Sequence, residues 1–332
     1  MTLATTMSKG TILPSLHILG AGSIGQLWAL SLRSQIPLYP VTLILRGEGV
    51  VAGKKSYLWK PHSSKHPTNL AVPVQNINQI KGPIDTFVVT TKSYQAMDAV
   101  QTMFLHRPDI LPTSRIILLC NGALSVRDEL LPWLNQRRIP LILATTTHGA
   151  YRETVLDDVD NGRTCLVHAG MGQTFLQEEA ADLLPYWNTA GLNCSTLSVS
   201  EMERLLWKKL AANCVINPLT AIFHCRNGEL LMEPSFYELQ QELLLEISQV
   251  ANGSIVKNNS PFDEEMLRQF VQQVVDDTGD NKSSMLQDVL LGRMTEIDHL
   301  NGYIVRKGRT QGMACPANEE IVSRVRELHR GS

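Results

Sequence analysis

The sequence predicts a two-domain protein with an α/β N-terminal domain and an all-α C-terminal domain. The chain has 332 residues, more than one hydrophobic core usually holds, so two domains of about 150 residues each are expected. Up to about residue 200, apolar segments rich in β-branched residues alternate with helical patterns, which is typical of a parallel sheet covered by helices. Beyond that point the strand patterns stop, and helical periodicity continues to the C-terminus.

The composition excludes several functional classes. With 43% hydrophobic and 19% charged residues, the chain has the composition of an ordinary globular protein. A net charge of −2 provides no basic field, so no nucleic-acid partner is expected. No apolar run reaches the roughly 18 residues of a membrane span, so no membrane partner is expected either. Residues 1–14 contain no apolar run typical of a secretory signal, and we expect an N-terminal extension there.

The cysteines indicate a reducing, cytoplasmic location. They form no CxxC pair and show no metal-like spacing with histidine, so we expect reduced, mostly buried thiols and no metal site. The six are Cys120, Cys165, Cys194, Cys214, Cys225 and Cys315.

The first strand and helix carry a glycine pattern with a specific mechanical meaning. A short apolar strand, Leu16 to Leu19, runs into Gly20-x-Gly22-x-x-Gly25, and an amphipathic helix follows. In a Rossmann-type domain these glycines allow a tight turn, close approach to a pyrophosphate, and close packing of helix on strand. The alternative is a glycine turn that binds no ligand. The predicted cofactor-binding turn comprises Gly20, Ala21, Gly22, Ser23, Ile24 and Gly25.

The end of the second strand indicates which dinucleotide is bound. The strand VTLILR ends in Arg46, 21 residues after Gly25, where an NAD-binding domain would place an acidic residue. A guanidinium suits a 2′-phosphate, so NADP(H) is the predicted cofactor. The alternative for Arg46 is an ordinary surface arginine. Residues 47–82 are less informative and are interpreted as a loop or hairpin region.

Three further strands end in polar or glycine-bearing segments. Because the carboxyl ends of parallel strands meet at one edge, and ligands bind at that edge of an open α/β sheet, these segments are candidate site residues. Each taken alone is more often a cap or turn residue. The strands are IDTFVVTT (84–91), RIILLC (115–120) and LILATTTHGA (141–150), and the segments are Lys92, Asn121-Gly122 and the His148–Ala150 turn.

The remaining pattern sets the domain limits. A strand at CLVHAG, a helix through EEAADLLPYW and a last strand near LNCSTLS complete the first domain. We therefore predict an N-terminal extension over 1–14, an NADP-binding Rossmann domain over 15–199, and a helical substrate domain over 200–332.

The stretch LWKKLAANCVINPLT opens the second domain with a polar helix face. Lys209, Asn213 and Asn217 recur at every fourth position, so a cation and two carboxamides share one face. Pro218 disfavours helical geometry at Asn217, so the helix should end or kink there. By periodicity alone, a solvated helix face is the more common explanation. A neighbouring apolar row should hold the helix against a core: Leu206, Leu210 and Cys214.

Further helices are predicted over Phe236–Val250 and about 262–277. Ser284-x-x-Gln287 then has the form of a capping box, so Ser284 is either a helix cap or a ligand-binding hydroxyl. Beyond it, one helix is expected with Asp288, Gly292 and Glu296 on a polar stripe facing a cleft. The alternative for Glu296 is a solvated carboxylate. The apolar face of that helix would comprise Val289, Leu290, Ile297, Leu300 and Ile304.

Long motifs in both domains resemble the ketopantoate reductases, also called 2-dehydropantoate 2-reductases. The resemblance runs from about residue 16 to about 320 and is absent in the extension and in residues 47–82. It implies reduction of 2-dehydropantoate to (R)-pantoate with NADPH, a step toward pantothenate and coenzyme A. It also implies a helical C-terminal domain like that of 6-phosphogluconate dehydrogenase. The motifs are GAGSIGQLW, Lys92, Asn121-Gly122, TTTHGA, LWKKLAANCVINPLTAI, RNGEL and SSMLQDVLLGRMTEIDHLNG.

The resemblance also implies roles for individual residues. Lys209 corresponds to the general acid; the neighbouring Lys208 falls on a different helix face from the asparagines. The expected partner is a small-molecule substrate, and the expected assembly is a monomer or homodimer. The nicotinamide half of the cofactor site would comprise Lys92, Asn121 and Ala150, the substrate contacts Asn213, Asn217, Asn227 and Ser284, and the carboxylate near both Glu296.

Two other functions are compatible with the pattern. One is an NADP-dependent reductase of another 2-oxo acid, which a comparison of several keto acids would reveal. The other is a non-catalytic NADP(H) sensor, which needs the glycines but not the acid. The joint presence of Lys209, Asn213, Ser284 and Glu296 speaks against a sensor, although a shared fold alone would not decide the question.

Overall fold

The structure is a computed structural model that describes residues 13–47, 51–80, 84–106, 115–157, 160–255 and 260–328. The chain forms two compact units that divide between Met202 and Glu203. Most of the extension predicted over residues 1–14 lies outside the described residues.

The first unit contains helices and strands in alternation, as predicted. The helices are α1 (Ser23–Gln35), α2 (Ser93–His106), α3 (Ala123–Asn135) and α4 (Leu184–Thr189). The strands are β1 (Leu16–Leu19), β2 (Val41–Leu45), β3 (Gly53–Lys60), β4 (Thr68–Asn76), β5 (Thr86–Val89), β6 (Arg115–Leu118), β7 (Leu141–Thr146), β8 (Gly149–Asp157), β9 (Asp160–Gly170), β10 (Thr174–Gln177) and β11 (Cys194–Leu197).

The strands of the first unit build one mixed sheet with β1 near its centre. Within the described residues its order is β11-β10-β7-β6-β5-β1-β2-β4-β3-β9-β8. The neighbouring strands β7, β6, β5, β1, β2 and β4 run parallel, and Leu19 lies level with Ile44 and Val89. The chain leaves β1 toward β2 on one side and returns to β5 on the other, which is the switch point where open α/β sheets bind ligands. The predicted Rossmann-type fold is confirmed.

The part of the chain interpreted as a loop or hairpin contains a hairpin. Strands β3 and β4 pair antiparallel, and β3 also pairs parallel with β9, so that Leu58 lies opposite Cys165. The hairpin β8–β9 thereby extends the sheet. Ala150 is paired with His168 inside this hairpin, so its predicted placement in a turn is wrong; Thr147 and His148 form the short connection between β7 and β8.

Aromatic packing fixes α1 and α4 on the sheet. The indoles of Trp28 in α1 and Trp187 in α4 are fully buried and meet edge to face with ring centres 5.9 Å apart. Tryptophans of this kind bury the largest apolar area of any side chain, which holds α1 in the place that its glycine turn requires.

The second unit is helical. Its main helix, α5 (Val199–Phe223), begins four residues before the division. All three residues of the predicted apolar row are buried, which confirms that part of the prediction. The other helices are α6 (Phe236–Asn252), α7 (Glu264–Asp277), α8 (Ser284–Leu290), α9 (Asn301–Thr310) and α10 (Pro316–Leu328), and 3-10 turns cover Gly228–Met232 and Ile297–His299.

The helix was predicted to end or kink at Pro218, and α5 does not end there. It continues to Phe223, because side chains satisfy the backbone around the proline. The carboxamide of Asn301 donates to the carbonyl of Cys214 at 2.9 Å, and the hydroxyl of Thr220 donates to the carbonyl of Ile216 at 2.7 Å. Sequence periodicity contains no trace of a donor that lies 87 residues away.

The predicted capping box and the long helix beyond it are also wrong. Ser283, not Ser284, caps α8, since its hydroxyl accepts from the backbone N–H of Leu286 at 3.0 Å. Helix α8 ends at Leu290, and Gly292 has a φ of +60°, a left-handed conformation that stops a helix. Glu296 lies in a separate segment just before Ile297–His299, so the proposed stripe and apolar face do not exist.

The described residues can also be searched for membrane-spanning helices, metal-binding groups and disulfide bonds. Within the described residues, no helix is long and apolar enough to cross a membrane. The same residues contain no group of three or more His, Cys, Asp or Glu side chains able to hold a metal ion. All six cysteines are free, and four of them are buried, as predicted.

Candidate active site

The three glycines of the turn between β1 and α1 differ in how much space the surrounding backbone leaves for a side chain. Gly20 has a φ of +113°, and a Cβ there would lie 2.7 Å from the backbone nitrogen of Thr91. A Cβ on Gly25 would overlap the carbonyl oxygen of Gly20 and come within 2.6 Å of the Thr90 hydroxyl. By contrast, a Cβ on Gly22 would meet only the Thr90 carbonyl, at 3.9 Å. The protein itself therefore does not require glycine at position 22, whereas a closely approaching ligand would.

The carbonyl oxygens of this turn are already bonded. The hydroxyl of Thr90 donates to the carbonyl of Gly20 at 2.7 Å, and the Gln26 carboxamide donates to that of Ala21 at 2.9 Å. The N-cap of α1 is Gly22, which offers no side-chain cap, and the first turn has no acidic residue. The first N–H groups of α1, beginning at Ser23, thus form an end suited to an anion such as a pyrophosphate.

Arg46 follows β2 directly, as predicted. Its Nη1 donates to Oδ2 of Asp98 in α2 at 2.8 Å, with 30% of the arginine side chain exposed. An exposed ion pair of this kind contributes little to stability, so the guanidinium can exchange the carboxylate for another anion. This part of the site fits an adenosine 2′-phosphate.

The other predicted residues of the first unit follow adjacent parallel strands. Lys92 comes three residues after the end of β5, and Asn121 three residues after the end of β6. Both are half-buried and both have interactions with neighbouring residues. Ala150 is half-buried near the start of β8, which follows β7. Strand order places β5 and β6 side by side, so Lys92 and Asn121 follow neighbouring strands, whereas Ala150 lies in β8 and pairs with β9.

In the second unit, α5 presents the predicted polar face. Lys209 and Asn213 are half-buried, and Asn217 is 8% exposed. Lys209 has an interaction within the structure. No described residue hydrogen-bonds to the carboxamide of Asn213 or Asn217. A nearly buried carboxamide with unused hydrogen-bonding groups is expected where a polar ligand binds.

Hydrogen bonds bring Asn227 and Ser284 to the C-terminal end of α5. The hydroxyl oxygens of Thr220 in α5 and Ser283 lie 2.7 Å apart, in hydrogen-bond contact, and Ser284 is the next residue. The carboxamide of Asn227 donates to the hydroxyl of Thr278 at 2.9 Å, while its Oδ1 is buried and has no partner among the described residues. The unused acceptor of Asn227 is a second group with capacity for a ligand.

Glu296 is buried, 5% exposed, and precedes the 3-10 turn Ile297–His299. The hydrogen bond from Asn301 to Cys214 holds the following segment against α5. A buried carboxylate costs free energy unless it is compensated, and Glu296 does have an interaction within the structure. The structure thus places it in the same unit as Lys209, in a segment packed on the same helix.

Comparison with known proteins identifies the family. The family model described as "Ketopantoate reductase PanE/ApbA" matches residues 16–180, and "Ketopantoate reductase PanE/ApbA C terminal" matches residues 201–329. The chain belongs to the ketopantoate reductase family. It is 31% identical over 331 residues to 2-dehydropantoate 2-reductase of Vibrio cholerae serotype O1, covering 94% of this chain and 97% of that protein. It is 32% identical to the enzyme of the same name from Escherichia coli O157:H7, covering 93% of each chain.

The fold is shared more widely than the family name. A structure of D-mandelate dehydrogenase with NADH and anilino(oxo)acetate matches with a TM-score of 0.75 at 20% identity, covering 96% of this chain and 99% of that one. At this identity the likeness shows the fold alone.

Sequence reasoning missed several residues that shape the site. Thr90 and Gln26 hydrogen-bond to carbonyls of the glycine turn, and Asp98 accepts a hydrogen bond from Arg46. Asn301 donates to a backbone carbonyl of α5. Thr90 lies near the end of the strand predicted over residues 84–91. Its hydroxyl-bearing side chain at that strand end was the only signal in the sequence that could have indicated its role. The others act through contacts between distant parts of the chain, which periodicity does not encode.

Proposed function

We propose that the protein reduces 2-dehydropantoate to (R)-pantoate with NADPH, in the cytoplasm, as a step toward pantothenate and coenzyme A. The observation that carries this proposal is the match to both parts of the ketopantoate reductase family model, one in each unit. Residues 15–199 are the cofactor domain and residues 200–332 the substrate domain. The working form is a monomer or homodimer.

The first unit binds the cofactor, which supplies the hydride when bound. The first N–H groups of α1, past the open position at Gly22, hold the pyrophosphate. Arg46 leaves Asp98 and binds the 2′-phosphate. Lys92, Asn121 and Ala150 line the nicotinamide half.

Lys209 is the general acid. As the keto carbon of the substrate becomes an alcohol carbon, negative charge develops on its oxygen. An ammonium group at that oxygen stabilises the charge and donates the proton that the alcohol needs. Glu296 accepts a hydrogen bond from a substrate hydroxyl or keeps Lys209 charged.

The remaining polar groups orient the substrate. Its carboxylate and primary alcohol need several donors and acceptors, and neutral groups supply them without competing as acids. The unused carboxamides of Asn213 and Asn217 are suited to this role. Ser284 and the free Oδ1 of Asn227 complete the set.

The first test is NADPH absorbance with 2-dehydropantoate, repeated with NADH. Rapid oxidation of NADPH and slow oxidation of NADH supports both the reaction and the role of Arg46. In Arg46→Gln, the preference for NADPH should fall by about tenfold or more, because a charge-assisted contact is lost. Turnover of other 2-keto acids but not of 2-dehydropantoate would replace the substrate, and binding of NADPH without any turnover would favour a sensor.

A further inference from the structure

Helix α5 contains a carbonyl group that its own backbone cannot bond. In an α-helix the carbonyl of Cys214 accepts from the backbone N–H of residue 218. Residue 218 is proline, which has no N–H, and Cys214 is fully buried. A buried carbonyl without a donor is costly, so another group must replace the missing bond.

Asn301, at the start of α9, supplies that bond. Its Nδ2 donates to the carbonyl of Cys214 at 2.9 Å and to Oδ1 of Asn318 at 3.0 Å. Asn301 and Asn318 both have 0% exposure, so water does not compete for these bonds. The Oδ1 of Asn301 has no partner among the described residues, so its donors, not its acceptor, are what the fold uses.

The orientation of the Asn301 carboxamide is fixed by a buried carboxylate, to which it is linked through two successive hydrogen bonds. Glu246 in α6 accepts from the carboxamide of Asn318 at 2.7 Å. It also accepts from the backbone N–H groups of Ala317 and Asn318, at 2.8 and 3.0 Å, at the start of α10. Because a carboxylate only accepts, the NH2 group of Asn318 must face Glu246, and its Oδ1 must face Asn301. The chain of bonds therefore presents an N–H group to Cys214.

The supported carbonyl lies within the polar face of α5. Cys214 directly follows Asn213, and Asn217 directly precedes Pro218. A shift of the helix backbone between residues 213 and 218 therefore moves both carboxamides. Small displacements of positioning groups have large effects on rate.

We propose that Asn301 is a positioning residue for the reaction: it replaces the hydrogen bond that Pro218 removes from α5 and so sets the places of Asn213 and Asn217. The inference rests on the proposed function, because it assigns those two residues to the substrate. Asn301 itself need not touch the substrate.

The test combines a loss with a specific rescue. Asn301→Leu and Asn301→Ala remove the donor. Each should lower kcat/KM for 2-dehydropantoate by about tenfold to a hundredfold, while the Kd for NADPH changes less than about twofold, since the cofactor binds in the first unit. Adding Pro218→Ala restores a backbone N–H opposite the Cys214 carbonyl and should recover most of the loss. Pro218→Ala alone should behave as wild type.

A matched control separates positioning from general destabilisation. Val325→Ala removes packing from a fully buried residue of α10 but leaves the hydrogen bonds of Asn301 intact. It should lower Tm without changing kcat or KM. Hydrogen exchange in peptides covering residues 210–220 should accelerate in the Asn301 variants and slow again with Pro218→Ala.

The results of these experiments either support or overturn the positioning role of Asn301. Wild-type kinetics in both Asn301 variants, or a loss that Pro218→Ala does not recover, would overturn the inference. If the Asn301 variants do not fold, folding restored by Pro218→Ala supports it, and continued misfolding overturns it. Failure of the proposed function is seen separately, as absence of 2-dehydropantoate reduction by the wild-type protein.

Discussion

Gly22 and Gly25 have the same side chain but different reasons to be glycine. A Cβ on Gly25 overlaps the carbonyl of Gly20, whereas one on Gly22 meets only the Thr90 carbonyl at 3.9 Å. Gly22 also has an ordinary φ of −71°. We expect Gly22→Ala to keep the wild-type Tm but to weaken NADPH binding about tenfold or more, because the methyl group occupies the pyrophosphate position. Thermal unfolding and fluorescence titration with NADPH measure the two quantities.

Gly25→Ala is the matched variant for this prediction. Its added methyl group meets backbone, so it should lower Tm by several degrees and impair binding only through the damaged fold. Unchanged NADPH affinity in Gly22→Ala would show that no pyrophosphate approaches this turn.

Lys209 and Lys208 are adjacent but lie on different faces of α5. If Lys209 is the general acid, Lys209→Ala should lower kcat by at least about a hundredfold with little change in the Kd for NADPH, because its contact matters most as charge develops. Lys208→Ala should remain within about twofold of wild type. Steady-state kinetics together with an NADPH titration make the comparison. Equal losses of kcat and NADPH affinity in Lys209→Ala would indicate a structural lysine.

At the scale of elements, two adjacent serines at the start of α8 have different predicted roles: Ser283 caps the helix and Ser284 binds the substrate. Ser283 accepts from the N–H of Leu286 and bonds to Thr220, whereas Ser284 is half-buried next to it. Ser283→Ala should lower the free energy of unfolding by about 1 to 2 kcal/mol, as loss of an N-cap does. Ser284→Ala should raise KM for 2-dehydropantoate with little effect on stability. Urea unfolding and initial rates test the pair, and a reversed pattern would return Ser284 to the role of cap.

The elements that were predicted correctly are those whose pattern is local in the sequence. The glycine turn, Arg46 at the end of β2 and the polar face of α5 are local patterns, and each element formed where its periodicity predicted. The course of α5 past Pro218 could not be predicted, because its replacement donor, Asn301, is remote in sequence. The sequence could not decide between a loop and a hairpin around β3 for a related reason: the strand is polar, and it also pairs with β9, about a hundred residues later in the chain.

At the scale of the molecule, a histidine pair joins the two ends of the long sheet in the first unit. His168 in β9 and His148 after β7 approach to 3.0 Å, and Nε2 of His148 lies 3.0 Å from the carbonyl of Leu192, just before β11. A carbonyl only accepts, so Nε2 carries the proton. The backbone N–H of Gly172 donates to Nδ1 of the same ring at 3.2 Å, so Nδ1 has none. His148 is therefore neutral, and protonation of Nδ1 would break two of these bonds.

This neutral pair predicts a loss of stability in mild acid. Burial, then the neighbouring rings of His148 and His62, lower the pKa of His168 to about 4. Burial also lowers the pKa of His148. An unfolded histidine titrates near about 6.5, so between pH 6.5 and 4 the unfolded chain binds more protons than the folded one.

The free energy of unfolding should therefore fall as the pH falls through that range, by at most about 1.4 kcal/mol per pH unit for each histidine. His168→Gln cannot titrate, so its urea midpoint should fall less between pH 7 and 5 than that of the wild type, even if it is less stable at pH 7. His66→Gln, at an exposed position of the β3–β4 hairpin, is the control and should keep the wild-type pH dependence. Parallel wild-type and His168→Gln curves would mean that the pair takes up no proton on unfolding, and the join between the sheet ends would then be insensitive to acid.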